Sequence, residues 1–187
     1  MRLSRCAKLA LGPLTGSWYR ALRLKYWNTR LSTAHSSTSK SRYSAASTTT
    51  GSYRLLYLGE NHQVVIYEVG ALLGSPNSPT SNPKGSWIIL SLGVRLDYVV
   101  DLCDPVQQRI ISTNDQELTG VWANASSATP TQKLGAALST TPNLEGVIVP
   151  SSKPGGGRNL VIFPDKLGRR SSILFHNELS AKNENLR

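Results

Sequence analysis

Residues 55–73 admit one local structure, and it sets a carboxylate where an apolar side chain belongs. Leu55 to Leu58 reads as a short buried strand, Gly59 to Asn61 as a turn, and Asn61 as a helix N-cap. On a helix from His62 to Leu73, the neighbours of Glu68 at i−4, i−3, i+3 and i+4 are Val64, Val65, Ala71 and Leu72. Glu68 is therefore expected on the apolar face. An unpartnered carboxylate there is costly, so the fold must supply a partner or the site must use the charge.

The rest of the chain bounds the answer. Its 187 residues, 39% of them hydrophobic, suit one folded domain. Two cysteines, Cys6 and Cys103, are too few for a disulfide scaffold and match no zinc spacing, so a reducing cytosol is the simplest setting. No apolar run approaches the roughly 20 residues that span a bilayer. The net charge of +10 is unevenly placed: residues 1–59 hold ten Lys and Arg and no acid, while residues 60–187 sum to zero. Such a basic third could bind nucleic acid, serve as an organellar transit peptide, or fold around an anionic small molecule. Composition alone favours the first two.

Along the chain, Gly16 to Leu24 alternates as a first strand, with Trp18 and Arg20 on one face. Residues 32–52 are Ser- and Thr-rich and read as a long loop carrying Lys40, Arg42 and Tyr43. Residues 74–85 read as a surface connection. Ser86 to Leu92 and Arg95 to Leu102 read as two strands, Pro105 to Ile111 and Thr131 to Leu138 as helices. Gly146 to Pro150 and Asn159 to Phe163 pair as a hairpin through a glycine-rich joint, and the tail from Asn177 reads as fraying.

Most motif chemistry is excluded. No Gly-x-Ser-x-Gly elbow, His-Glu-x-x-His pair or P-loop occurs, so no metal site is expected, and Gly155 to Arg158 reads as a turn. Asp97, Asp101 and Asp104 read as strand-edge and turn carboxylates, and His35, His62 and His176 as surface or capping residues. Asn124-Ala-Ser126 is a glycosylation sequon without a secretory signal. Arg20, Arg42, Tyr57, Glu68 and Ser151 remain. From the residues alone, a buried ion pair between Glu68 and one of the arginines ranks ahead of catalysis.

Taken in order, Trp18-Tyr19-Arg20, Ser41-Arg42-Tyr43-Ser44, Leu56-Tyr57-Leu58, Tyr67-Glu68-Val69 and Gly146 to Ser151 followed by Arg158 to Phe163 resemble the signature of RES-domain proteins. Thr131-Gln-Lys-Leu-Gly135 resembles the helix before the closing hairpin. The family's loop motif commonly has glycine before its arginine and Phe or Trp then Asn after it, where this chain has Ser41, Tyr43 and Ser44. Ser151 and Ser152 are adjacent, and the position after Pro150 selects Ser151.

The resemblance implies an α+β single domain, similar to ADP-ribosyltransferases, with a central mixed, mainly antiparallel sheet flanked by helices. Residues 1–15 would be a basic extension, 16–176 the catalytic domain and 177–187 a polar tail. It also implies a toxin of a toxin–antitoxin pair that destroys NAD⁺ by hydrolysis or phosphorolysis, or transfers ADP-ribose to protein. Glu68 would stabilise the oxocarbenium, Arg20 and Arg42 clamp the pyrophosphate, Tyr57 pack on nicotinamide or its ribose, and Ser151 bond ribose or phosphate. NAD is the expected substrate and no metal is required. The expected partners are a cognate antitoxin, NAD⁺ and inorganic phosphate in the cytoplasm. Homodimerisation is allowed, membrane is excluded, and nucleic acid is reached only through the antitoxin. A basic nucleic-acid-binding module without catalysis is the non-enzymatic alternative.

Overall fold

In the computed structural model, the described residues are 1–46, 52–75, 77–82, 86–153, 156–177 and 181–186. Five strands close on themselves. β1 (Gly12–Arg23) meets β2 (Leu56–Gly59) at Tyr19 and Gly59, and β2 runs antiparallel to β7 (Arg158–Ile162). β7 pairs with β6 (Gly146–Pro150), which runs parallel to the end of β5 (Trp87–Asp101). β5 then returns along β1, from Gly12 opposite Val99 to Arg23 opposite Trp87. The central sheet expected to be flanked by helices is thus a closed five-stranded barrel. Closure leaves those five strands without a free outer member, which is the usual solution to exposed strand edges.

β5 is one strand of 15 residues, not the two expected from sequence. Gly93, which interrupts the β-rich pattern, is simply paired to Ser17 and Leu174. Leu92–Arg95 pair with β1 through one edge and with β8 (Ser172–Asn177) through the other. β9 (Lys182–Leu186) adds to β8, so the tail expected to fray is part of a sheet. Where residues 74–85 are expected as a surface connection, β3 (Leu72–Ser75), which takes in the last two residues of the expected helix, pairs antiparallel with β4 (Ser78–Ser81).

Period-2 alternation along the barrel strands divides them between two cores. Leu56, Leu58, Leu90, Leu92, Ile148, Leu160 and Ile162 pack in one, with Trp18 and Leu22. Val147, Val149, Val161 and Phe163 face the other, under α2 (Pro105–Ile111), α3 (Asp115–Thr119) and α4 (Pro130–Thr140). The N-terminal 3₁₀ turn, Leu3–Lys8, also joins this second core by burying Cys6, with Leu9 just after it. α4 starts in a capping box: Thr129 Oγ1 accepts from Gln132 N, and Gln132 Oε1 accepts from Thr129 N.

A buried carboxylate ties the loops together away from the cavity described below. Glu145, 1% exposed, accepts from Asp97 N (2.7 Å) and Tyr98 N (3.1 Å) on one oxygen. Its other oxygen accepts from Gly168 N and Ser171 Oγ, both at 2.7 Å. Among the described residues no helix is long and apolar enough to cross a membrane.

Candidate active site

α1 (His62–Glu68) carries the acidic group, and it is shorter than expected. Asn61 caps it as the sequence suggests, its side chain accepting from Val64 N at 2.9 Å. The helix stops at Glu68 because Gly70 takes φ +67°, a left-handed C-terminal signal. Ala71 and Leu72 therefore lie beyond the helix and do not flank Glu68 as an apolar stripe. Gly59 sets how α1 sits on β2: a Cβ there would lie 2.7 Å from Val65 Cγ1, so a side chain would push the helix off the strand end.

Glu68 has no ion pair among the described residues, contrary to the expected arginine partner. Its Oε1 instead accepts two 2.7 Å hydrogen bonds, from Ser151 Oγ and from Asn159 Nδ2. Distances this short are typical of bonds to a charged acceptor, so neutral donors do the work assigned to an arginine. Both bonds fall on the same oxygen. The described residues supply no hydrogen bond to Oε2.

The two arginines reach the same cavity of about 430 Å³ with Glu68, but are anchored elsewhere. Arg20 lies between Trp18 and Leu22 on its strand face, and donates to the carbonyls of Arg30 (2.8 Å) and Ser32 (3.4 Å). Burial pulls its pKa below the ordinary arginine value. Arg42 donates to the carbonyls of Leu118 and Gly120 and to Ser152 Oγ (2.7 Å). Neither meets a carboxylate within ion-pair distance among the described residues. Two cations fixed by carbonyls, with no counter-ion among the described residues, can attract an anion.

The turn that carries Arg42 is built by residues far away in sequence. Ser41 and Ser44 bridge each other, and Gln132 Nε2 donates to both their carbonyls, at 2.9 and 3.4 Å. Tyr57 shares its hydroxyl with Ser41 Oγ (2.9 Å) and accepts from Tyr43 N (3.2 Å). Burial pushes the Tyr57 phenol up to about 12, so it stays neutral. Gly135 of α4 lets this turn approach: a Cβ there would lie 1.9 Å from the Tyr43 carbonyl oxygen.

Of the five residues expected in the site, Arg20, Arg42, Tyr57 and Glu68 line the cavity. Ser151 stands behind Glu68, 8% exposed, while its neighbour Ser152 lines the cavity and bonds Arg42. Asn159, Trp122 and Lys153 line it as well and were not singled out from sequence, and His35, read there as a surface or capping residue, also lines it. Asn159 had a signal: an amide inside a β-rich run is disfavoured unless it has a task. Asp97 pairs with Arg170, Asp104 caps α2, and neither lines the cavity. Among the described residues no group of three or more His, Cys, Asp or Glu could hold a metal ion.

The RES domain family model matches residues 17–180. No match is found among curated proteins. Four solved chains match. One is from the crystal structure of the M. tuberculosis MbcT–MbcA toxin–antitoxin complex, with a TM-score of 0.67 and 15% identity over 98% of this chain and 91% of that one. At that identity the likeness is one of fold. With its family match spanning most of the length, the chain belongs to the RES domain family.

Proposed function

We propose that this protein is a cytoplasmic NAD⁺-consuming enzyme that cleaves the bond between nicotinamide and ribose, and that it is the toxin of a toxin–antitoxin pair. The observation that carries the reading is the cavity's charge pattern: among the described residues, two arginines without counter-ions beside one carboxylate with an uncommitted oxygen. The likeness to a toxin solved with its antitoxin supports a cognate protein partner.

The residue set suits this chemistry. Cleaving an ordinary glycoside takes two carboxylates, one to protonate the leaving oxygen. Nicotinamide is already cationic in NAD⁺ and leaves neutral, so no proton need be supplied. One carboxylate then suffices. With Oε1 held by Ser151 and Asn159, Glu68 presents Oε2 to a ribose hydroxyl and to the positive charge that develops at the anomeric carbon. Arg20 and Arg42 hold the diphosphate and bring the ribose within reach. Water adding to the anomeric carbon releases nicotinamide, ADP-ribose and a proton. Inorganic phosphate in its place gives ADP-ribose 1-phosphate.

The nucleic-acid alternative draws little support from the basic third. Arg20 and Arg42 face the cavity, Arg30 pairs with Glu184, Arg54 with Asp165, and Arg23 and Lys25 sit over Trp87 and Tyr26. The test is incubation of pure protein with NAD⁺, with and without phosphate, and identification of products by mass spectrometry. Free nicotinamide with either sugar product is expected, and Glu68→Gln should slow its release by about a hundredfold or more. A modified protein as the sole product would favour ADP-ribosyl transfer. Undiminished NAD⁺ loss in folded Glu68→Gln would sink the mechanism.

A further inference from the structure

We infer that Glu184, on the C-terminal strand β9, is a positioning residue for the diphosphate end of the cavity, acting through Arg30 on Arg20. The inference rests on the reading of Arg20 as a diphosphate ligand. Glu184 lies beyond residue 180, where the family match ends.

Three links make the chain of contacts. Arg20 Nη1 and Nη2 donate to the carbonyls of Arg30 and Ser32, which set where its guanidinium points. The 3₁₀ turn Leu24–Thr29 fully buries no residue, and residues 24–32 hold to the barrel through the partly buried Trp27 and Leu31 and through Arg30. The Arg30 side chain is the polar part of that fastening. It lies over Trp27 at 4.4 Å and over Phe175 at 5.4 Å, and donates to the Trp27 carbonyl at 2.7 Å. Its one carboxylate among the described residues is Glu184, which also accepts from Asn177 Nδ2 at 3.1 Å.

The Arg30 side chain is only 11% exposed, and its Nε has no hydrogen-bond partner among the described residues. Without Glu184 it becomes a buried, unpaired cation, a state that proteins relieve by moving the charge to water. Its own carbonyl, the principal acceptor for Arg20, moves with it. A purely structural staple on the tail would show the same ion pair but would not act through Arg20.

A double-mutant cycle separates the two. ADP serves as the diphosphate probe, titrated calorimetrically into wild type, Glu184→Gln, Arg20→Ala and the double variant. Glu184→Gln should weaken ADP binding by about fivefold, within the range of coupled neighbours. Arg20→Ala should weaken it more, and adding Glu184→Gln to Arg20→Ala should cost nothing further. Glu184→Asp, which keeps the charge, should recover part of the loss and stands in if Glu184→Gln does not fold. Wild-type affinity in Glu184→Gln, or losses that add in full, would overturn the positioning role alone. Absence of ADP binding to wild type would overturn it together with the diphosphate reading.

Discussion

Alanine in place of a mid-helix glycine ordinarily stabilises a protein by up to about 1 kcal/mol, and Gly135 should reverse that sign. The added Cβ would lie 1.9 Å from the Tyr43 carbonyl oxygen, 2.8 Å from its carbonyl carbon and 3.0 Å from the Tyr53 hydroxyl. Relief requires more than an ångström of backbone movement, because the first of these atoms cannot rotate away. The turn is not free to make that movement. Gln132 holds the Ser41 carbonyl at 2.9 Å, Tyr53 the Tyr43 carbonyl at 2.7 Å, and Tyr57 the Tyr43 amide at 3.2 Å. Overpacking of this kind costs about 1–3 kcal/mol, and each strained hydrogen bond adds about 1 kcal/mol. Set against the helical gain, Gly135→Ala should lose about 2 kcal/mol. Urea unfolding followed by circular dichroism measures it. Because Arg42 rides on the same turn, the folded variant should also need more NAD⁺ to reach half-maximal rate. A Gly135→Ala protein as stable as wild type would refute the reasoning from the close contact.

Three further outcomes are expected. Ser151→Ala removes a donor to a charged oxygen and should lower kcat by about tenfold or more, whereas Ser152→Ala, which loosens Arg42, should act mainly on KM; steady-state kinetics on both tells them apart. Tyr57 titrates at about 12 when folded against 10.0 in the open chain, a raised value, so its contribution to stability is complete below pH 10 and is lost as pH climbs toward 12. Unfolding midpoints between pH 8 and 11 should therefore fall above pH 10, and fall less in Tyr57→Phe. Glu145→Gln sets an amide NH₂ among hydrogen-bond donors and should destabilise by about 1–3 kcal/mol while leaving the kinetics of the folded protein unchanged.

What was legible in the sequence was local. The Asn61 cap, the helix at Pro105–Ile111, the helix over Thr131–Leu138 and the hairpin strands Gly146–Pro150 and Arg158–Ile162 follow from periodicity and capping chemistry. So did the grouping of Arg20, Arg42, Tyr57 and Glu68, through the family's ordered motifs. Three things were not legible, each because distant residues decide them. Barrel closure depends on β1 meeting β5 across more than sixty residues, which no window of alternation can register. The partners of Glu68 are two neutral side chains more than eighty residues away, where charge complementarity suggested an arginine. The tail's polarity suggested fraying, yet β9 is held by backbone pairing to β8, by the buried Leu186 and by the Arg30–Glu184 pair. The early end of α1 is different. Gly70 was a usable stop signal, outweighed by the apolar residues that follow it.

Closure of the barrel also sets when the protein can act during its own synthesis. Arg20 gains its neighbour strand only once Trp87–Asp101 has been made, and Glu68 gains both its donors only once Asn159 has left the ribosome. The pairings that complete the ring are long-range ones, the kind that form slowly. A nascent or truncated chain ending before residue 159 therefore lacks a working centre. If the proposed NAD⁺ cleavage holds, this delay would shield the translating cell. It would also give the proposed antitoxin time to arrive before the first turnover.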